Sequence, residues 1–179
     1  MQECDIVITT GGVSMGELDL LKPTIERKLN GTIHFGRVAM KPGKPTTFAS
    51  VLNDQKKTLI FALPGNPASA LVCFHLFVLP SIRKWSGRTP SRLPQVRVQL
   101  QEPIKLDSRP EYHRAFVLCN EDGRLVAIST GFQRSSRVGS LKKANALLCL
   151  PAKTNAMPGP LAKNSFVDAL LLGPIESAM

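Results

Sequence analysis

Acidic residues are scarce: 13 Asp and Glu stand against 23 Lys and Arg in 179 residues, a formal net charge of +10. That imbalance favours an anionic partner, whether nucleic acid, membrane surface or anionic small molecule. The basic residues are spread along the chain rather than massed in a tail, so charge alone does not choose among these. Cysteine is sparse too. Cys4, Cys73, Cys119 and Cys149 lie far apart and make no C-x-x-C pair, which argues against a zinc site or a disulfide framework and makes a reducing, cytoplasmic setting the simpler one. No stretch reaches the ~18–20 unbroken apolar residues of a membrane span. Residues 68–79 come nearest, but they contain His75 and end at Pro80. The start, Met1-Gln2-Glu3-Cys4-Asp5, lacks the basic region and apolar core of a signal peptide. The basic run Arg134, Arg137, Lys142, Lys143 lacks interleaved aromatics, and no RNA- or DNA-binding module is visible, so a nucleic-acid partner is not expected. Repeats and low-complexity tracts are absent.

What is present reads as two kinds of pattern. Residues 5–10 form a short apolar, β-branched run, the signature of a strand buried on both faces. It opens into Gly11-Gly12-Val13-Ser14-Met15-Gly16-Glu17 and then a helical pattern over 19–29, with Pro23 tolerable only near the helix start. Strand, glycine loop and helix make half of a βαβ unit, whose ligands bind at the carboxyl ends of strands. Further strands are expected over 32–40, 46–52 and 58–63, then a helix from Asn66 to about Trp85, kinked or restarted at Pro80. Residues 87–94 read as a linker. Beyond it, β-like runs at 96–100, 112–119, 125–129, 146–150 and 166–172 follow without long helices between them, and Asn120-Glu121-Asp122-Gly123 is a hairpin turn. The fold class is therefore α/β, with residues 1–90 as one subdomain and 94–179 as a small β-barrel or sandwich. A parallel sheet needs helices on both faces, and the first part supplies few strands and helices, so the natural protein is expected to extend further on the N-terminal side of Met1.

The stretch 41–69 concentrates the chemistry. Lys41-Pro42-Gly43-Lys44-Pro45 fits a type II turn with Pro42 and Gly43 at its centre, which would place two ammonium groups on one rigid loop where a compact dianion relieves their repulsion. Pro64-Gly65-Asn66-Pro67-Ala68-Ser69 reads as a helix start, with Asn66 as N-cap, Pro67 at the first helical position and Ser69 beside unpaired backbone N–H groups.

Asp5-Ile-Val-Ile-Thr-Thr-Gly-Gly-Val-Ser-Met-Gly16, Met40-Lys-Pro-Gly-Lys-Pro45, Leu63-Pro-Gly-Asn-Pro-Ala-Ser69 and Arg109-Pro-Glu-Tyr-His-Arg114 occur in collinear order. Together they resemble the molybdopterin molybdenumtransferases, the molybdenum insertase family of bacterial MoeA and of the plant and gephyrin E domains. The resemblance spans nearly all of the chain and corresponds to the C-terminal half of the family's E domain. It implies a partial MogA-like three-layer α/β/α subdomain, then a C-terminal β-barrel. It also implies insertion of molybdate into adenylylated molybdopterin with release of AMP, assisted by Mg²⁺, in a homodimer whose sites are shared between chains. A molybdopterin adenylyltransferase domain is an implied partner. By position, Gly11, Gly12, Ser14, Asp19, Pro45, Pro64, Gly65, Asn66, Pro67 and Ser69 match cofactor-binding positions. Asp19 is the metal candidate; Asp19, Lys41 and Lys44 match the catalytic positions; and Lys41, Lys44, Pro45, Arg109 and Ser135 match those holding molybdate. Thr10, Phe132, Arg134, Gly139, Lys142 and Lys143 depart from the usual pattern, whereas Lys44 matches the MoeA and plant type rather than the gephyrin type. A gephyrin-like scaffold that binds a receptor peptide is the alternative from another class.

Plainer roles compete for several residues. Asp19 suits a helix cap, isolated lysines usually sit on solvated loops, and His113 in a strand is more often structural. His34 and His75 look like packing or surface residues, and 74–78 look like core.

Overall fold

A strand followed by a glycine loop sets the first half in place; expected to be buried on both faces, it is instead half-buried, with Ile8 43% exposed, because it lies at the edge of its sheet. β1 (Ile6–Thr10) lies parallel to β4 (Lys56–Leu63), which pairs antiparallel with β3 (Thr47–Asn53). β2 (Thr32–Phe35) closes the sheet in the order β1-β4-β3-β2. The computed structural model describes residues 4–13, 20–53, 56–131, 133, 141 and 143–177. Ser14, Asp19 and Ser135, together with Phe132, Arg134, Arg137, Gly139 and Lys142, fall outside them.

The alternation of side chains along β3 and β4 builds two hydrophobic faces. Phe48, Leu59, Phe61 and Leu63 pack with Val72, Cys73 and Val78 of the following helical segment, and Phe48 stacks on Phe61 at 4.8 Å between ring centroids. On the other face Ala49, Val51 and Ile60 pack with Ile25, which is only 1% exposed. Helical chain thus covers both sides, giving three layers. One side is α1 (Leu21–Pro23) running into a π-wound turn, Thr24–Lys28, with Pro23 in its first turn as expected. The other is α2 (Pro67–Cys73), a π-wound stretch Phe74–Val78, and α3 (Leu79–Trp85). The restart expected at Pro80 is realised by this local unwinding just before α3: proline has no N–H for the α-helical ladder.

The second half is a closed barrel. β5 (Gln95–Leu100), β6 (Glu111–Cys119), β7 (Leu125–Ser129), β8 (Ala146–Leu150) and β9 (Phe166–Leu171) join in a five-strand ring through β6-β7-β5-β9-β8 and back to β6. Closure removes the open edges a small sheet would otherwise present. Val98, Leu100, Ala115, Val117, Leu148 and Ala169, all fully buried, fill its interior. The β6–β7 hairpin turns where the sequence predicts it: Gly123 sits at φ +75°, and the Asn120 side-chain oxygen accepts the Arg124 N–H at 2.7 Å. A short β10 (Glu176–Ser177) adds in parallel to the end of β6.

Asn145 supplies a detail that patterning does not reveal. β8 pairs with β6 only as far as Ala146, opposite Ala115. Beyond it the Asn145 side chain stands in for a strand, accepting the Val117 N–H at 2.7 Å and donating to the Val117 carbonyl at 2.8 Å and to the Pro174 carbonyl at 2.9 Å.

One expected strand is shorter than its apolar run. β2 ends at Phe35 rather than near residue 40, because its register against β3 slips between Ile33 and Phe35 and the chain leaves the sheet. The chain that leaves becomes the approach to the lysine loop, pinned by Val38 N–H donating to the Lys44 carbonyl at 2.9 Å.

Candidate functional site at the strand ends

β1 and β4 are adjacent and parallel, so their carboxyl ends release two loops side by side. Gly11 and Gly12 follow β1 with φ of +84° and +68°, and the Gly11 N–H donates to the Leu63 carbonyl at 3.0 Å. Gly65 follows β4, and a Cβ built on it would stand 3.2 Å from the Gly11 Cα, so the close approach of the loops favours a bare residue at Gly65, whereas Gly11 is suited to glycine by its φ. Helix α2 starts two residues later.

The lysine loop faces this junction from the other side. Gly43 has φ +107°, and a Cβ there would run into Cys73 Sγ and lie 2.9 Å from Met40 Cε. Thr46, fully buried, has its Oγ1 2.7 Å from the Gly43 carbonyl oxygen and 3.0 Å from Cys73 Sγ, sharing its one hydroxyl hydrogen within that pair of contacts. Gly43 has the positive φ expected of it in a type II turn, but the hydrogen bond that closes the loop runs from the Thr46 N–H to the Gly43 carbonyl at 2.9 Å rather than across residues 41–44. The Lys41–Pro42 peptide is cis, and the Lys41 main chain pairs with the barrel: its N–H donates to Pro110 at 2.9 Å, and its carbonyl accepts from Tyr112 at 2.8 Å. Lys41 is therefore a one-residue parallel bridge to Glu111, stitching the two halves together.

Between these loops lies a cleft of about 560 Å³ lined by Gly11, Gly12, Val13, Lys41–Pro45, Pro64, Gly65, Asn66, Ser69, Arg109 and Gln133. Pro67, by contrast, opens α2 and is not part of the lining. Asn66 occupies the helix-start position in extended conformation, but its side chain makes no capping hydrogen bond. Its buried Oδ1 has no partner among the described residues, so the cap expected of it is replaced by an unsatisfied acceptor at the cleft.

The two lysines are not equivalent, which overturns the picture of two repelling ammonium groups. Lys41 Nζ lies 3.3 Å from Asp107 Oδ2 and 3.2 Å from Glu111 Oε2, whereas Lys44 is exposed and has no ion pair among the described residues. Asp107 also meets Arg109, Oδ1 to Nε at 3.3 Å. Burial acts to raise the Asp107 carboxyl, but the Arg109 and Lys41 contacts outweigh it and leave it below its ordinary 3.8. Glu111 is only 3% exposed; burial again pushes upward, and His113 and Lys41 together hold it below 4.5.

Behind Glu111 runs a row of side chains. His113 Nδ1 is 3.3 Å from Glu111 Oε1, and His113 Nε2 is 2.7 Å from Ser129 Oγ. Acid, histidine and serine in that order resemble a nucleophile triad. The Ser129 N–H is spent on Glu102 Oε1 at 3.1 Å, so it is not available as an oxyanion donor, and Ser129 Oγ accepts the Gly131 N–H at 3.0 Å. The row lacks the first link of such a relay, because His113 Nδ1, although 3.3 Å from Glu111 Oε1, makes no hydrogen bond among the described residues. It borders a second cavity of about 390 Å³, which shares Lys41 and Gln133 with the first. Gln133 is clamped to the main chain of fully buried Arg114, accepting its N–H at 2.8 Å and donating to its carbonyl at 3.2 Å.

Sequence reasoning missed Asp107, Glu111 and Gln133 as site residues. Glu111 lay inside the Arg109–Arg114 motif and was legible as an acid beside an anion site; Gln133 carried no signal. Among the described residues no group of three or more His, Cys, Asp or Glu gathers around a possible metal position, and the metal candidate Asp19 lies outside them.

Residues 1–84 match the family described as "Probable molybdopterin binding domain", and residues 97–172 match the "MoeA C-terminal region (domain IV)". Similar curated proteins include gephyrin of Dictyostelium discoideum, 48% identical over 98% of this chain and 26% of the relative. The molybdenum cofactor synthesis protein cinnamon of Drosophila melanogaster is 46% identical over 93% of this chain and 27% of its own length. The molybdopterin molybdenumtransferase of Bacillus subtilis is 41% identical over 86% and 35%. This chain thus spans about a quarter to a third of these relatives. A molybdenum cofactor biosynthesis protein structure from Pyrococcus furiosus superposes with TM-score 0.63 at 23% identity, over 95% of this chain and 50% of that one, and shows the same fold. The chain belongs to these two families in succession, residues 1–84 to the probable molybdopterin binding domain and residues 97–172 to the MoeA C-terminal region.

Proposed function

We propose that this chain serves molybdenum cofactor biosynthesis by forming the anion-binding face on which molybdate is inserted into adenylylated molybdopterin, with release of AMP. The observation that carries the reading is convergence. Lys44 and Arg109, Ser69 and the Gly11-Gly12 loop line one cleft at the carboxyl ends of two adjacent parallel strands. Molybdate is a tetrahedral dianion, and a mobile ammonium, a planar guanidinium and a hydroxyl suit its charge and its dispersed acceptor oxygens. Lys44 offers an unspent charge, while Lys41 presents one already oriented by two carboxylates. The unsatisfied Asn66 oxygen suits an N–H donor such as the edge of a pterin ring. In this reading the protein's share of the chemistry is placement and charge neutralisation. Cys73, the thiol beneath the loop, is not the nucleophile: it is fully buried, and burial pushes its pKa up to about 11. Magnesium, held through Asp19, would serve phosphoanhydride cleavage. The reading extends to a homodimeric protein in the cytoplasm, fed by a molybdopterin adenylyltransferase domain.

Equilibrium molybdate binding at low ionic strength tests this, since salt screens the exposed Lys44 contribution. Lys44→Ala is expected to weaken binding by about 10-fold or more, the loss of one charge-assisted contact, and Lys41→Ala/Lys44→Ala to abolish it. Equal affinity of all three proteins would sink the proposal.

A further inference from the structure

Asp107 gives one carboxylate oxygen to each of two cations from different halves of the chain. Oδ2 is 3.3 Å from Lys41 Nζ, and Oδ1 is 3.3 Å from Arg109 Nε. The aspartate is itself held in the barrel: Oδ1 also accepts the Arg109 N–H at 3.1 Å, and its carbonyl accepts the Lys153 N–H at 2.7 Å. Arg109 reaches back across the junction, Nη1 to the Met40 carbonyl at 3.4 Å.

We infer that Asp107 is a positioning residue, a shared counter-ion that makes Lys41 and Arg109 act as one anion-binding unit. Its functional part rests on the anion-cleft reading above. A carboxylate between two cations screens their repulsion and fixes their separation. When one cation is removed the carboxylate turns wholly to the other, so the two contributions are not independent. Lys41 has a second acceptor in Glu111, whereas Asp107 is the only carboxylate paired with Arg109 among the described residues. The coupling therefore runs through Asp107 and not through Glu111.

The test is a double-mutant cycle of Lys41→Ala and Arg109→Ala on the full chain, repeated in an Asp107→Asn background and read in two ways. In molybdate binding, the double variant should depart from the product of the single effects by about threefold or more when Asp107 is present, and by less than about 1.5-fold in the Asp107→Asn background. In urea unfolding without any anion, the same cycle should show about threefold coupling in the folding equilibrium constant, lost likewise with Asp107→Asn. Independent single effects in molybdate binding, or coupling that survives Asp107→Asn, would overturn the inference. If no variant binds molybdate but the unfolding cycle behaves as expected, the shared counter-ion stands and the anion-cleft reading is what has failed.

Discussion

Gly43→Ala is the sharpest test of how the lysine loop is held. Two costs meet at this position. At φ +107° an L side chain strains the backbone, by about 1–2 kcal/mol on the left-handed scale. The new Cβ also collides with Cys73 Sγ and crowds Met40 Cε at 2.9 Å. Methionine can swing away, but Cys73 is fully buried in the core and hydrogen-bonded to Thr46, so forcing it aside costs the ~1–3 kcal/mol of overpacking. The sum, about 2–5 kcal/mol, is a large share of the ~5–15 kcal/mol that holds a typical domain folded. A urea melt followed by circular dichroism should show the midpoint falling by about 1–2 M at an ordinary m-value. The Cys73→Ala background separates the two costs. There the collision is relieved, and the penalty of Gly43→Ala should shrink to the backbone share of about 1–2 kcal/mol. A penalty below about 1 kcal/mol in the parent, or one unchanged by Cys73→Ala, would refute this account of the loop.

Three further outcomes follow from burial and hydrogen bonding. Cys73 should resist alkylation at pH 8 in the folded chain while exposed Cys4 reacts, and peptide mass mapping before and after unfolding would report it. Since burial raises the Cys73 thiol from 9.0 to about 11, the folded state keeps a proton the unfolded state gives up. Its contribution is complete below pH 9 and is lost as pH rises towards 11, so stability should decline over that window, less steeply in Cys73→Ala; a parallel decline would count against it. Asn145→Ala should destabilise the barrel by about 2–4 kcal/mol, because it leaves the N–H and carbonyl of fully buried Val117 without their partner, and a thermal melt within about 1 °C of the parent would contradict that.

The strands and the cleft were legible for a local reason. Apolar β-branched runs bounded by Pro and Gly, such as 58–63 before Pro64-Gly65, state both a buried strand and the place where it stops. Gly11 and Ser69 reach the cleft lining because their loops follow β1 and β4, whereas Lys44 was named from its Pro-Gly loop and Arg109 from the family resemblance. What escaped depends on distance along the chain. Lys41 meets Glu111 across 70 residues, and nothing near either residue says that the barrel will neutralise the lysine. The two-ammonium picture failed there, since it counted charges within one loop. Asn66 failed differently: the helix-start rule fixed its backbone correctly, but the side chain was not drawn into the cap. Asn145 could not be read at all, because its role exists only where β8 runs out of length beside β6.

The seam between the halves is sewn with main chain at Lys41, through hydrogen bonds that any residue other than proline on the lysine side could make. The main-chain part of the joint is therefore kept whatever the lysine side chain does, and the ion pairs to Asp107 and Glu111 add to it. A chain that lost the ammonium would give up those ion pairs and keep the two backbone hydrogen bonds. The joint thus has two separable parts, a backbone stitch that fixes position and a charged one that responds to salt and to substitution.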